Sequence, residues 1–268
     1  MIPKIFHQIW LGDNIPDIKA KWLTNNAEKL IKEGGWTIKF WGNDSLTKEN
    51  FPIMWPYIQK AIKLKKPFAM VTDLARYEIV YRYGGVYMDV NLELQGRPLE
   101  NMIKVANKKN KTLIIAHENK FVHALKASIN TNKGERKYTS NGFFAATKKN
   151  PVLKNALKTS RLDKIDWENE AINEETGPFY WRESMTPSLL NKIHVLKTEY
   201  IYPMSLYETF NHGNGGESDN KCISKKKTAD SIKVKLGKHK KVRYLEIPCK
   251  KYKNSYSVDH FNFGGTWH

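Results

Sequence analysis

The first 41 residues have the order strand, helix, strand, and this order constrains the fold more than any other feature of the sequence. Residues 3–10 carry β-favouring residues on both faces, as expected of a strand that is buried on both sides. Residues 18–32 have apolar residues at near-helical spacing and end before Gly34 and Gly35. Residues 36–41 alternate apolar and polar side chains, which predicts a second strand. This order favours parallel strands in a layered α/β fold.

The remaining sequence continues the mixture of helices and strands. Helical material is predicted from 54 to 83, with interruptions at Pro56 and Pro67. Further strands are predicted at 86–90, 112–117, 142–147 and 242–247, and further helices at 152–159 and 179–191. We find no internal repeat and no clear linker. The 268 residues are therefore interpreted as a single domain, 1–268.

The net charge of +18 is concentrated near the C-terminal end. Residues 219–253 contain 13 basic residues against three acidic ones, a net charge of +10. Base stacking on single-stranded nucleic acid needs interleaved aromatic residues, and none precedes Tyr244 in this stretch. Nucleic acid is therefore not an expected partner, and the region near 211–241 is interpreted as a basic, mobile insertion. An anionic membrane surface that contacts Lys221 to Lys253 stays open as a partner.

Membrane spans and leader peptides are not expected from this sequence. No stretch approaches the roughly 20 apolar residues that cross a bilayer, and the first residues lack the apolar region of a signal peptide. The two cysteines, Cys222 and Cys249, need not pair in a chain of this size, and their scarcity fits a reducing compartment. We expect a soluble, cytoplasmic protein, with peripheral association at a membrane surface as the alternative.

The densest group of chemistry-bearing residues surrounds the predicted strand at 86–90. Asp73 and Arg76 are three residues apart on the preceding helix, where they can form an ion pair or jointly grip a polyhydroxylated ligand. Asp89 and Asn91 stand at the carboxyl end of the strand, where ligands bind in α/β sheets. On an extended chain both face the same side, and their oxygens suit Mn²⁺ or Mg²⁺. A nucleotide diphosphate would complete such a half-built site.

Three segments, in this order along the chain, resemble glycosyltransferase family 32. They are the opening IPKIFHQIWLG, the run TDLARYEIVYRYGGVYMDVN and the ending DHFNFGGTWH. This family includes initiating α-1,6-mannosyltransferases and capsular polysaccharide glycosyltransferases, and it is similar to the glucosylating bacterial toxins. The resemblance implies a GT-A fold, with a mostly parallel central sheet and helices on both faces. It also implies a metal-dependent site for a nucleotide-sugar and transfer with retention of configuration.

The resemblance implies roles for individual residues. The catalytic set would be Asp73, Arg76 and Asp89, the donor-binding set Trp10, Asp73, Arg76, Tyr87, Asp89, Asn141 and Trp267, and the metal ligands Asp89, Asn91 and His260. Asn91 stands where the family has its second aspartate. The loss of this negative charge lowers the expected metal affinity. The segment Thr176-Gly177-Pro178 resembles a turn of the family that is expected on the acceptor side.

The expected activity is transfer of a hexose from a nucleotide-sugar to a glycan, lipid-linked or protein acceptor. Trp10 and the resemblance to the toxins favour a UDP-sugar over GDP-mannose. No residue is assigned as a catalytic base. Two alternatives stay open: a degenerate relative that binds nucleotide-sugars or glycans without turnover, which Asn91 suggests, and a basic nucleic-acid-binding protein, which Lys221 to Lys253 suggest.

Overall fold

The computed structural model describes residues 1–117, 139–169, 172–203 and 254–259. Its strands are β1 (Ile5–Ile9), β2 (Thr37–Trp41), β3 (Gly85–Met88), β4 (Leu92–Leu94), β5 (Leu113–His117), β6 (Thr139–Ala146), β7 (Ile193–Leu196) and β8 (Ser257–Asp259). Its helices are α1 (Asp17–Glu33), α2 (Trp55–Lys63), α3 (Phe68–Tyr83), α4 (Leu99–Lys108), α5 (Pro151–Ala156), α6 (Thr159–Leu162), α7 (Ile172–Glu175), α8 (Pro178–Glu183) and α9 (Thr198–Ile201). Two 3₁₀ turns lie at Asn43–Ser45 and Pro187–Lys192.

Six of these strands form one sheet in the order β2-β1-β3-β6-β5-β7. Strand β1 pairs in parallel with both β2 and β3, and β5 pairs in parallel with β7. Strand β6 runs antiparallel to its neighbours β3 and β5. A second, two-stranded sheet joins β4 to β8. The predicted α/β class with a mostly parallel central sheet is confirmed.

Helices cover both faces of the sheet. Along β6, Phe143 and Ala145 face one apolar cluster, which includes Leu30 of α1 and residues of α4. Phe144 faces the opposite cluster, which α2, α3, α5 and α8 build. Because side chains alternate across a strand, a strand between two helical layers is apolar at every position. The eight residues of β6 are all buried, and its second half, residues 143–146, is apolar in agreement with this rule, whereas its first half is polar.

Helix α3 carries the polar residues of interest through the interior. Its residues 70–80 are all buried, although they include two acidic and one basic side chain. Buried charges need partners, so this helix is tied to the sheet by ion pairs as well as by apolar packing. It ends at Gly84, and Gly85 then begins β3 with a φ of 105°. A Cβ at Gly85 would lie 2.2 Å from the backbone oxygen of Ile5, so only glycine lets β3 approach β1 so closely.

The histidine of the opening segment has a structural place. His7 is fully buried in β1, and its Nε2 lies 2.9 Å from the carbonyl oxygen of Gly84. The indole N–H of Trp41 donates to His7 Nδ1 at 3.3 Å, so Nε2 carries the proton. The pKa of His7 is lowered to about 4, mainly by burial; the Gly84 hydrogen bond opposes this effect and Lys39 adds to it. A neutral His7 therefore links β1, β2 and the turn between α3 and β3.

Several element boundaries differ from the sequence prediction. Strand β3 ends at Met88 instead of residue 90, and a backbone hydrogen bond of 3.0 Å from Leu92 to Asp89 closes a turn that leads into β4. The helix predicted at 179–191 is split, because the 3₁₀ turn that starts at Pro187 replaces its second half. The helix α4 and the strands β4, β7 and β8 are not predicted by the sequence reading.

Two predicted features, the strand at 242–247 and the basic insertion near 211–241, lie outside the described residues. None of the helices in the described ranges combines the length and the apolar character needed to cross a bilayer.

Candidate functional site

The candidate site lies at one edge of the central sheet. Trp10 follows β1, and Asp89 follows β3, whose carboxyl end lies at the same edge because the two strands are parallel. Strand β6 runs in the opposite direction, so its amino end brings Asn141 to the same place. The side-chain amide of Gln8 contacts the backbone oxygen of Asp89 at 3.5 Å. This edge is the general ligand position of α/β sheets, as the sequence predicts.

Arg76 is the centre of a buried layer below this edge. Only 3% of the residue is exposed, and its guanidinium pairs with Asp73 and with Asp89, each at 3.2 Å. It also donates to the backbone oxygens of Thr72 at 3.2 Å and Asn141 at 2.9 Å. Burial lowers the pKa of Arg76, but the nearby carboxylates outweigh this effect and raise it. Arg76 is therefore a permanent positive charge between two carboxylates.

Asp73 pairs with Arg76 and is hydrogen-bonded through both carboxylate oxygens. It accepts from the side-chain amide of Asn141 at 2.6 Å and from the Thr176 hydroxyl at 3.1 Å. Burial raises the pKa of Asp73 to about 6; Arg76 opposes this effect and Asp89 adds to it. A carboxyl group with such a pKa can accept or donate a hydrogen bond near neutral pH.

Asp89 is held from three directions at the mouth of the site. Its Oδ1 accepts from the Tyr87 hydroxyl at 2.6 Å and pairs with Arg76, and its backbone N–H donates to the Gly142 oxygen at 2.8 Å. A Cβ at Gly142 would lie 2.7 Å from Asp89 Oδ2, so the absence of a side chain there makes room for the carboxylate. The Asp89 side chain keeps 19% of its surface exposed. It thus presents a fixed carboxylate to a ligand.

Asn91 contacts a carboxylate that the sequence reading missed. Its side-chain amide donates to Asp259 Oδ1 at 2.6 Å. Since a carboxylate only accepts hydrogen bonds, the side-chain nitrogen of Asn91 faces Asp259. The side-chain oxygen of Asn91 is then the atom that does not face Asp259. Asp259 lies on β8, opposite Leu92 of β4. Asp259 directly precedes His260 and is the first residue of the ending DHFNFGGTWH. Its place in that segment could have identified it as a site residue from the sequence.

These residues fit the chemistry of a hard divalent cation. Asp89, Asn91 and Asp259 offer oxygen ligands, which Mn²⁺ and Mg²⁺ prefer. Within the described ranges, no group of three or more Asp, Glu, His or Cys side chains forms a ready metal site. Three oxygen donors are fewer than such a cation takes, so a cation held by Asp89, Asn91 and Asp259 would need further ligands. The predicted ligand His260 lies outside the described residues.

Lys19 is the second residue that the sequence reading missed. It belongs to the first turn of α1, is 3% exposed, and places its ammonium 4.8 Å from the centre of the Trp10 ring. Burial lowers the pKa of Lys19, while the charges of Asp89 and Asp259 raise it. The helical pattern of α1 marks Lys19 only as a polar position, so no local signal identifies it.

The structure therefore brings together most of the predicted site residues. Those at or below the sheet edge are Trp10, Asp73, Arg76, Tyr87, Asp89, Asn91 and Asn141. Trp267 and His260 lie outside the described residues. The predicted acceptor-side turn reaches the same cluster, because Thr176 contacts Asp73 and its backbone oxygen accepts from the Tyr77 hydroxyl at 2.8 Å.

Part of the chain that builds this site matches a known family model. Residues 23–111 match the family model of the glycosyltransferase sugar-binding region containing the DXD motif. This stretch runs from α1 to the segment before β5 and includes Asp73, Arg76, Asp89 and Asn91. Residues 23–111 are thus similar to the sugar-binding region of the DXD glycosyltransferases, and the family resemblance seen in the sequence is confirmed.

Two curated relatives and one solved structure are similar to the chain. The chain is 28% identical over 159 residues to inositol phosphoceramide mannosyltransferase 1 of Schizosaccharomyces pombe, covering 58% of this chain and 42% of the relative. It is 26% identical over 223 residues to the uncharacterized glycosyltransferase L373 of Acanthamoeba polyphaga mimivirus, covering 79% and 77%. The solved structure of PaToxG glycosyltransferase is similar with a TM-score of 0.49, at 16% identity over 69% of each chain. The chain spans less than half the length of the first relative.

Proposed function

We propose that the protein transfers a hexose from a nucleotide-sugar to an acceptor, with retention of configuration. The observation that carries this proposal is the partly exposed pair Asp89 and Asn91, which lies in the matched sugar-binding region at the carboxyl end of β3. A carboxylate fixed at this edge, above a buried positive charge, suits a nucleotide diphosphate and its cation.

The donor would lie along the sheet edge. Trp10 is partly exposed and offers a flat ring on which the base can stack. Asp89 and Asn91 would meet the ribose and the diphosphate with its cation. Asp73 and Asn141 would hold sugar hydroxyls, for which a carboxyl group with a pKa near 6 suits both directions of hydrogen bonding. Access to these two residues requires that the sugar displaces part of their present hydrogen bonding.

The charge on the leaving diphosphate is the largest electrostatic demand of glycosyl transfer. A cation such as Mn²⁺ or Mg²⁺, held by Asp89, Asn91 and Asp259, would supply a positive charge there. Arg76 fixes the Asp89 carboxylate and contributes its own charge from below. We assign no catalytic base: the acceptor hydroxyl would attack on the leaving-group face and pass its proton to the diphosphate oxygen.

The names of the relatives bear on donor and acceptor. One of them is called inositol phosphoceramide mannosyltransferase 1, which favours GDP-mannose over the UDP-sugar expected from the sequence. This name also favours a lipid acceptor with a phosphoinositol headgroup over a soluble glycan or a protein. For such an acceptor, contact of Lys221 to Lys253 with an anionic membrane surface would bring the enzyme to its substrate.

Calorimetric titration with UDP and with GDP, each with and without Mn²⁺, tests the donor site. We expect one nucleotide to bind, and to bind more tightly with Mn²⁺. Asp89→Ala should remove this binding and transfer, whereas Glu168→Gln, a change of an exposed carboxylate elsewhere, should leave both unchanged. Circular dichroism checks that both variants are folded. If neither nucleotide binds the wild type, the donor site is refuted.

Hydrolysis of the donor separates an enzyme from a relative that only binds. Many glycosyltransferases slowly transfer the sugar to water, so release of free hexose needs no knowledge of the acceptor. Binding without release of hexose would support the degenerate relative that Asn91 suggests.

A further inference from the structure

Lys19 occupies a position that is unfavourable for a lysine. The residue is 3% exposed, and removal of an ammonium group from water costs several kcal/mol. It also lies in the first turn of the 17-residue helix α1, where the helix dipole disfavours a positive charge. Lys21, two positions further along the helix, is exposed and avoids the first of these costs. A buried lysine at such a place therefore needs compensating negative charge.

That negative charge comes from the candidate donor site. The ammonium of Lys19 interacts with the carboxylates of Asp89 and Asp259, and it lies 4.8 Å from the centre of the Trp10 ring. These three residues come from the ends of β1, β3 and β8. A whole buried group of opposite charges can often be replaced by apolar side chains with no loss of stability, so fold stability alone does not account for the combination of Lys19 with two carboxylates.

The total charge of the candidate site also differs from that of a site with two aspartates alone, because Lys19 adds a positive charge. Asp89 and Asp259 supply two negative charges, Asn91 is neutral, and Lys19 adds one positive charge. A divalent cation is therefore attracted less strongly than by the two carboxylates alone. A diphosphate is attracted more strongly, because an ammonium group donates charge-assisted hydrogen bonds to phosphate oxygens.

We infer that Lys19 binds the diphosphate of the nucleotide-sugar and shares with the cation the neutralisation of its charge. The inference rests on the proposed function and adds a phosphate-binding residue to that site. Its consequence is that a nucleoside diphosphate binds measurably without any divalent cation. A second consequence is that Lys19 weakens the binding of Mn²⁺ to the nucleotide-free protein.

The variant Lys19→Met tests both consequences, because it keeps an unbranched side chain and removes the charge. It should weaken diphosphate binding and tighten Mn²⁺ binding. In EDTA, calorimetry should show nucleoside diphosphate binding weakened by about tenfold, with a smaller effect on the monophosphate. Mn²⁺ binding to the nucleotide-free variant, followed by electron paramagnetic resonance of the unbound ion, should tighten by about tenfold. Lys21→Met is the matched control and should change neither affinity. Lys19→Arg should retain diphosphate binding.

Each outcome has a distinct meaning. If the wild type binds neither UDP nor GDP, the proposed function fails and the inference fails with it. If the wild type binds but Lys19→Met has the same diphosphate and Mn²⁺ affinities, only the inference fails, and Lys19 has a packing role against Trp10. Circular dichroism shows whether Lys19→Met is folded, and Lys19→Gln replaces it in both titrations if it is not.

Discussion

Replacing His7 by Gln should remove a strong pH dependence from the stability of the fold. In the folded protein His7 is neutral, with Nε2 donating to Gly84 and Nδ1 accepting from Trp41. A second proton on Nδ1 would place two donors against each other inside the core. Glutamine can keep one hydrogen bond but does not titrate, so the comparison isolates the ionisation of His7.

The size of the effect follows from the pKa of His7, which burial lowers from 6.5 to about 4. Between these two values the unfolded chain binds a proton that the folded protein does not bind. Stability is therefore fully present above pH 6.5 and is lost as the pH falls towards 4. At 1.36 kcal/mol for each pH unit, the loss amounts to about 3 kcal/mol, a large part of the stability of a typical domain.

Urea unfolding of wild type and His7→Gln at several pH values between 7 and 4 measures this loss. Asp73 has a raised pKa of about 6 and favours the folded state on acidification, with the opposite sign, but it is present in both proteins and cancels in the difference. The difference in unfolding free energy should shrink by about 3 kcal/mol from pH 7 to pH 4. His194→Gln, at a partly exposed histidine whose pKa burial and two lysines also lower, is the comparison and should show a smaller change with the same sign. A pH-independent difference would refute the assigned tautomer and its burial.

Two further changes test the mouth of the site. Asn91→Asp should tighten Mn²⁺ binding about tenfold, because a third carboxylate joins the oxygen donors, and should lower the stability of the metal-free protein, because the new carboxylate faces Asp259; an unchanged Mn²⁺ affinity would show that Asn91 points away from the cation. Gly142→Ala places a Cβ 2.7 Å from Asp89 Oδ2 and should lower transfer or donor hydrolysis about 100-fold. The control Gly42→Ala should not lower the activity, because a Cβ there would meet only a ring atom of Phe40 at 4.0 Å. Equal activity of the two variants would contradict the fixed position of Asp89.

The order of the large elements could be predicted from the sequence because their signals are local. Strand β1, helix α1 and strand β2 follow from apolar periodicity and from the glycines that end α1. Helix α4 carries the same kind of signal, with Met102, Ile103 and Ala106 buried on one face after Pro98, and could have been predicted by it. Strands β4 and β8 have three residues each and pair across a long separation, which no local pattern encodes.

The candidate site also contains residues that the sequence predicts and contacts that it does not predict. Asp73, Arg76, Tyr87 and Asp89 lie within 17 residues, so helical and strand spacing brings them together and the sequence motif identifies them. Their hydrogen bonds to Asn141 and Thr176 depend on β6 and on the turn before α8. The electrostatic interaction of Lys19 with Asp89 and Asp259 depends on how α1 and β8 pack against the sheet edge, and the spacing of residues along the chain does not predict this packing.

The contact between Asn91 and Asp259 changes what the altered motif means. Taken alone, Asn91 in place of an aspartate removes a negative charge and suggests a weak or inactive site. Asp259 Oδ1 lies 2.6 Å from the Asn91 amide nitrogen. The carboxylate of Asp259 therefore lies beside the position at which Asn91 replaces an aspartate. Together with Asp89 it restores two negative charges to the mouth of the site. The motif therefore does not decide between an enzyme and a binding protein, because the charge that a donor meets is set by Asp89, Asp259 and Lys19 together.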